Sequence, residues 1–221
     1  MSRAKASPPV RANTLSSAAS FVATLLAPPR CGACGERCDW HAPLCLRCER
    51  AVAAARPVTV AVPSLDVAWC AAPYEGVARE LVAALKFRRR LPLARRAAEA
   101  IVAGTPQRLL ESGAVVPVPP APWRLRLRGH DPSEEIAFAL AGIAGLPFRP
   151  CLARANGPRQ VGRPRAARLA DPPRVRLTRG PPQRAVLVDD VMTTGATLGA
   201  CARALRDGGA ERIVALTFAR A

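Results

Sequence analysis

The clearest pattern in the chain lies near its C-terminal end. There the apolar run Ala185-Val186-Leu187-Val188 meets Asp189-Asp190, a turn from Val191 to Gly195 follows, and Leu198, Cys201, Ala202 and Leu205 then recur at helical spacing. An unbroken apolar run followed by a 3.6-residue period predicts a buried strand over 184–188 and a helix over 196–206. Gly208-Gly209 ends the helix, and 213–218 reads as the next strand. Strand, helix and strand at this spacing form a βαβ unit of a parallel sheet.

Upstream, 59–63 and 67–72 read as short strands, with Val58 and Val60 beginning the alternation. Val77, Leu81, Ala84 and Leu85 mark one face of a helix over 77–87, and a second helix spans 93–102. Val115-Val116-Pro117-Val118 is a compact strand ending in proline, as a strand entering a functional loop would be. The stretch 123–132 reads as a basic, polar loop. Ser133 is expected to cap a helix to about 144, with Glu135 in its first turn. Between 154 and 184 periodicity disappears amid Pro, Gly and charge, which predicts a long exposed loop. At the other end, 1–13 reads as a disordered tail and 14–27 as an amphipathic helix with Phe21, Leu25 and Leu26 on one side.

A chain of 221 residues, half of them apolar, supports one sizeable core and a small satellite module. The expected divisions are a tail and helix (1–27), a cysteine module (28–60) and an α/β domain (61–221). The formal net charge of +17 is uneven: thirteen arginines lie between Arg124 and Arg184, against Asp131, Glu134, Glu135 and Asp171. Such a surface concentrates anions, so an anionic partner is expected, whether nucleic acid, a phosphorylated metabolite or an acidic protein; a solvated basic face is the alternative. Arg3, Lys5 and Arg11 before an apolar stretch at 18–27 imitate a signal peptide. Ser20, Thr24, Pro28-Pro29 and the cysteines that follow count against export, so a cytoplasmic protein is expected. No stretch approaches the roughly 18–20 apolar residues of a membrane span.

Cys31-Gly-Ala-Cys34 and Cys45-Leu-Arg-Cys48 are two CxxC knuckles separated by ten residues. Four thiolates so spaced suit tetrahedral structural zinc, and the segment has too little apolar mass to fold unaided. Cys38 and His41 lie within reach of the same hairpin and leave the ligand set open. Disulfides are the alternative, unusual in a reducing cytosol. Arg30, Arg37, Arg47 and Arg50 flank the module, as they would in a ribbon that binds nucleic acid. Cys70, Cys151 and Cys201 read as core thiols.

Ligands of open parallel sheets sit beyond the carboxyl ends of strands, and VLVDDVMTTGAT puts its acids and its turn there. Adjacent carboxylates can accept hydrogen bonds from vicinal hydroxyls and attract Mg²⁺. Thr193, Thr194 and Thr197 supply hydroxyls, Gly195 permits a tight turn, and the helix beginning near Ala196 adds free amides and its dipole. Together these make a cradle for a dianionic 5-phosphate.

VLVDDVMTTGAT matches the phosphoribosyl pyrophosphate signature of type I phosphoribosyltransferases. With YEGVARELVAALKF, VVPVPPAPWRLRLRGHDPSEEIA and the cysteine knuckles, the chain from 15 to 219 resembles the ComF (GntX, competence-protein F) family. The resemblance implies a type I phosphoribosyltransferase-like parallel sheet flanked by helices, an α/β fold, behind a four-cysteine zinc ribbon. It implies that Asp189 and Asp190 hold the ribose hydroxyls and Mg²⁺, and that Thr193, Thr194, Gly195, Ala196 and Thr197 form the 5-phosphate loop. Lys86 corresponds to a lysine common in the family's first helix-to-loop region, and it is one of only two lysines in this chain. The loop VPVPPAPWRLRLRG resembles the pyrophosphate-side loop, with Arg124, Arg126 and Arg128 as anion contacts. The implied catalytic set is Asp189, Asp190, Lys86 and Arg128. The family favours Cys31, Cys34, Cys45 and Cys48 as zinc ligands, leaving Cys38 and His41 as bystanders.

Two departures stand out. Where many relatives read R-G-F-N-Q, this chain reads Arg128-Gly129-His130-Asp131-Pro132; His130 is read as a surface histidine, with acid–base chemistry the alternative. In 151–169, Leu152, Arg154, Gln160, Gly162 and Arg168 answer the family's pattern and Val161 does not. The implied function is binding of 5-phosphoribosyl diphosphate with Mg²⁺, with transfer of the phosphoribosyl group to an acceptor the sequence does not identify. The alternative is a non-catalytic factor, related to DNA uptake in competent bacteria, that holds single-stranded DNA or docks an uptake protein.

Overall fold

A computed structural model of the protein describes residues 29–39, 42–88, 92–111, 113–154 and 173–221. The expected tail and helix at 1–27, His41, and Gln160, Gly162 and Arg168 of the expected loop lie outside the described residues.

The chain forms a mixed α/β fold around a five-stranded sheet of order β1-β2-β7-β6-β3, where β1 is Val58–Val60, β2 Val67–Pro73, β3 Ala114–Pro117, β6 Arg184–Met192 and β7 Arg212–Arg220. β1 runs antiparallel to β2, and the other neighbours are parallel. β7 is buried along almost its whole length, as a central strand covered on both faces must be. Side chains alternate between two cores. Val186, Val188, Val214 and Leu216 pack with helices α2 (Gly76–Arg88), α3 (Pro92–Gly104) and α5 (Pro132–Ala144). Ala185, Leu187, Ile213 and Ala215 pack with α6 (Ala196–Asp207) on the opposite face.

Strand lengths decide where the site lies. The two acids do not end their strand as expected: β6 continues to Met192, and its pairing with β7 includes Asp189↔Thr217 and Met192↔Arg220. β3 pairs only as far as Pro117↔Val188 and then leaves the sheet, Val118 N–H donating to the Val188 carbonyl at 3.0 Å. β6 therefore outruns its neighbour on one side, and Asp189 and Asp190 stand beside the gap.

The basic stretch after β3 is not a loop throughout. Pro122–Arg128 is a helix, α4. Pro122 presets the first helical φ, and Gly129 at φ +71° closes the last turn with its N–H on the Leu125 carbonyl. The next helix starts two residues earlier than expected: Asp131, not Ser133, is the N-cap, its carboxylate accepting from Ser133 N–H at 3.1 Å while Pro132 fills the first position. The ends of the expected 154–184 loop are also ordered, since β4 (Leu152–Arg154) and β5 (Val175–Leu177) pair antiparallel.

The cysteine hairpin is joined to the domain core rather than appended to it. Cys31, Ala33, Leu44, and Cys48 and Val52 of α1 (Leu46–Ala53), belong to the same hydrophobic cluster as α2 and α3. Gly32 lies so close to α3 that a Cβ there would stand 2.7 Å from Leu93 Cδ1. Arg96 of α3 donates to Glu49 of α1 at 2.6 Å. Leu93→Ala removes the contact that seats the hairpin and should cost about 2–5 kcal/mol in denaturant unfolding. Fluorescence of Trp69 and accessibility of the hairpin thiols to a thiol reagent should then move in one transition, and two separated transitions would show that hairpin and sheet fold independently.

Candidate functional site

A cleft of about 290 Å³ opens where β6 outruns β3. Its lining includes Asp189, Asp190 and the whole turn from Thr193 to Thr197, together with Lys86, Arg124 and Arg128. These sequence-derived candidates therefore meet in one place. Arg126 does not line the cleft. The reason is α4 itself: residues four apart share a helix face, so Arg124 and Arg128 stand together and Arg126 falls on another side. Arg154 of β4 lines the cleft as well.

At the floor, Asp190 is only 7% exposed and its Oδ1 lies 2.8 Å from Lys86 Nζ. Asp189 accepts from the Ser133 hydroxyl at 2.7 Å and from the N–H of Asp190 at 2.9 Å. Asp131, also 7% exposed, adds a third carboxyl. Burial, and then the charge of Asp190, push Asp189 up to about 7 despite the Ser133 hydroxyl and Lys86. Asp131 is likewise pushed up to about 7 by burial and then by Asp189. The lining is cationic as well. Burial and the neighbouring Arg124 guanidinium hold both Arg128 and Arg154 below the usual arginine range. Like charges gathered in a half-buried cleft are relieved by an anion, and guanidinium forks suit phosphoryl oxygens.

The turn after β6 is built for close approach. Gly195 has φ +76°, and a Cβ on it would stand 2.9 Å from Val62 Cγ2, so both its backbone and its surroundings require glycine. Arg220 braces the same turn, donating to the Met192 carbonyl at 3.2 Å and to the Thr193 carbonyl. The Thr194 hydroxyl accepts from Ala196 N–H at 3.3 Å, and the N-terminus of α6 faces the cleft.

Asp131 and Ser133 escaped the sequence reading as site residues. The signal was present: Asp-Pro-Ser at a helix start places an acid at the N-cap and a hydroxyl one turn-step later. His130 is tied at both ring nitrogens, Nε2 lying 2.7 Å from the Leu85 carbonyl and Nδ1 3.0 Å from that of Arg128.

The second cluster is the cysteine set. The sulfurs of Cys31, Cys34, Cys45 and Cys48 all lie within 4.8 Å of one another, a geometry compatible with metal coordination. Cys38 stands apart with its thiol on the Ala42 carbonyl at 3.4 Å. Burial resists ionisation of Cys31, but N–H groups of Cys34, Cys45 and Ala33 outweigh it and bring the thiol down to about 6. Cys48 is driven upward by burial and by the crowding of the other three sulfurs. Were all four ionised, sulfurs this close would need a cation between them. Cys70, Cys151 and Cys201 are buried, and burial raises each thiol.

No helix among the described residues is long and apolar enough to cross a membrane. No protein-family model and no curated protein matches the chain.

The raised carboxyls give stability a definite pH dependence. A group whose folded value exceeds its unfolded value of 3.8 stabilises fully below that value, and the contribution is lost as pH rises through about 7. Asp131→Asn keeps the cap and removes one ionisation. The fall in melting temperature from pH 5 to pH 8 should be shallower in this variant; an unchanged slope would mean that Asp131 carries no such burden.

Proposed function

We propose that the cleft binds 5-phosphoribosyl diphosphate together with Mg²⁺, on a domain of the type I phosphoribosyltransferase kind, and that the four clustered cysteines hold a structural zinc ion. The observation that carries this reading is the meeting of an acid pair, a glycine-bent turn at a helix N-terminus and an arginine wall in one cleft. Hard oxygen donors at Asp189 and Asp190, one of them already drawing an ammonium to 2.8 Å, suit a hard divalent cation. A ribose fits the same pair, because its vicinal hydroxyls donate to carboxylate oxygens.

In the proposed reaction the residues work by placement and charge. Asp189 and Asp190 hold the sugar ring, with Asp189 itself fixed by Ser133. The amides and hydroxyls from Thr193 to Thr197 hold the 5-phosphate. Arg124, Arg128 and Arg154 receive the diphosphate as the bond from C1 to its oxygen breaks, and the acceptor's lone pair forms the new bond to C1. Mg²⁺ supplies charge neutralisation on the diphosphate when bound. No side chain is needed as a covalent nucleophile, in keeping with direct transfer between substrates.

A second reading, a nucleic-acid-handling factor without transfer chemistry, is favoured by one feature of α4. Arg126 lies outside the cleft and is exposed beside Leu127, itself 77% exposed, so this helix offers one cation that the site does not use.

Calorimetry should detect Mg²⁺-dependent binding of 5-phosphoribosyl diphosphate, and the Asp189→Asn/Asp190→Asn protein should lose at least about tenfold in affinity. Undiminished affinity in the double variant would remove the site. Salt-sensitive binding of an oligonucleotide that survives in that variant would favour the second reading. For the cysteines, native mass spectrometry should find one zinc per chain. Chelation should lower the melting temperature of the whole domain, since the hairpin shares its core; metal-replete protein without zinc would refute the assignment.

A further inference from the structure

Three successive residues at the C-terminal end of α2 each engage a different part of the cleft. The Leu85 carbonyl meets His130 Nε2 at 2.7 Å, Lys86 Nζ meets Asp190 Oδ1 at 2.8 Å, and the Phe87 ring lies under the Arg128 guanidinium at 5.2 Å from its centroid. The flanking contacts fix the root of Lys86, and its four-carbon stem carries the ammonium to Asp190. The ion pair is sheltered, with the two side chains 18% and 9% exposed.

Asp190 is thus the place where the proposed metal and Lys86 compete. A buried carboxylate next to a second one requires a positive partner, and Lys86 supplies it. A divalent cation arriving by itself must displace that ammonium within a cleft whose lining already holds Arg124, Arg128 and Arg154, so more positive charge there is unwelcome. If a diphosphate arrives with the cation, the displaced ammonium has phosphoryl oxygens to meet. The residue type matters here. An ammonium on a four-carbon stem is a point charge that can change partners, whereas a guanidinium forked onto a carboxylate is geometrically committed. In a chain with 33 basic residues of which two are lysine, position 86 carries one of the two.

We infer that Lys86 is an exchangeable counter-ion, paired with Asp190 in the free protein, yielding that carboxylate to a divalent cation and carrying its charge to the anionic ligand, so that metal and diphosphate bind only weakly apart and strongly together. The inference rests on the proposed function of the cleft and adds the device that couples its two ligands. By reciprocity, whatever factor diphosphate gains from the metal, the metal gains from diphosphate.

The test uses Mn²⁺, whose free form is read by electron paramagnetic resonance, and inorganic diphosphate, read by calorimetry, with correction for the complex the two form in solution. In the wild-type protein each should tighten the other. Lys86→Met should bind Mn²⁺ alone about tenfold or more tightly than wild type, the scale on which one neighbouring charge shifts a carboxylate's preference. The same variant should bind diphosphate more weakly, and the mutual enhancement should shrink towards none. Opposite signs for the two ligands are the signature, because simple loss of structure would weaken both. Lys86→Gln, which keeps a hydrogen-bond donor without the charge, should behave like Lys86→Met and serves if the methionine variant folds poorly. Unimproved Mn²⁺ affinity in both variants, or an undiminished enhancement, overturns the inference. If the Asp189→Asn/Asp190→Asn protein binds Mn²⁺ and diphosphate as wild type does, the function assigned to the cleft fails and takes the inference with it. If that control loses binding while the Lys86 variants show no opposite effects, the inference fails alone.

Discussion

Negative charge held at the end of a central strand is the constraint around which this protein is arranged. Asp189 and Asp190 sit on β6 beyond the point where β3 leaves it, and Asp131 is brought up to them by the start of α5. Carboxyls so placed repel one another and are poorly hydrated, so the surroundings must answer them. Lys86 gives Asp190 an ion pair, Ser133 gives Asp189 a hydroxyl, and the Ser133 amide satisfies Asp131. The answers come from two elements, Lys86 of α2 and Ser133 of α5, which makes α2, α5 and β6 depend on one another at this edge. Protons supply the rest, since Asp131 and Asp189 both lie near 7.

The same edge shows why charge of both signs can share one cleft. The arginines of α4 and β4 line it with the acids: Arg124 opposes Arg128 and Arg154, while Asp190 and Asp131 act favourably on Arg128 and Asp189 on Arg154. A cleft lined by both signs suits a ligand that itself carries both, as the proposed polyphosphate with its divalent cation would.

Much of this was legible in residue order. The central βαβ unit, the acid pair and the glycine turn are contiguous, and local pattern suffices for contiguous features. Features set by the third dimension were harder to read. β6 runs past Asp189 because Thr217 and Ala219 of β7 offer it partners, information that lies nearly thirty residues downstream. Helix α4 has only seven residues with Arg and Leu alternating, a period of two that imitates a polar extended segment, although Pro122 and Gly129 at its ends were the usable signal. Once that stretch is a helix, Arg126 leaves the cleft. Arg154 enters because β4 pairs with β5 from across 155–172, a closure that no local period announces. Likewise the N-cap moved from Ser133 to Asp131, which turned an ordinary helix start into two contacts at the site.

The cysteine hairpin also owes its place to tertiary contact. CxxC spacing brings four sulfurs together, but spacing alone does not say what the hairpin rests on. Gly32 against Leu93 and Glu49 against Arg96 seat it on α3, and Cys31 and Cys48 share a core with Leu81, Val82 and Leu85 of α2. Helix α2 is therefore held on one side by the hairpin and on its other end by the cleft, through Leu85, Lys86 and Phe87. A helix packed this way moves as a body, because close-packed side chains transmit displacement rather than absorb it. The ammonium of Lys86 stands at 2.8 Å from Asp190 only while that body keeps its seat. The four sulfurs, distant from the cleft in sequence and chemistry, thus share one helix with it as a neighbour.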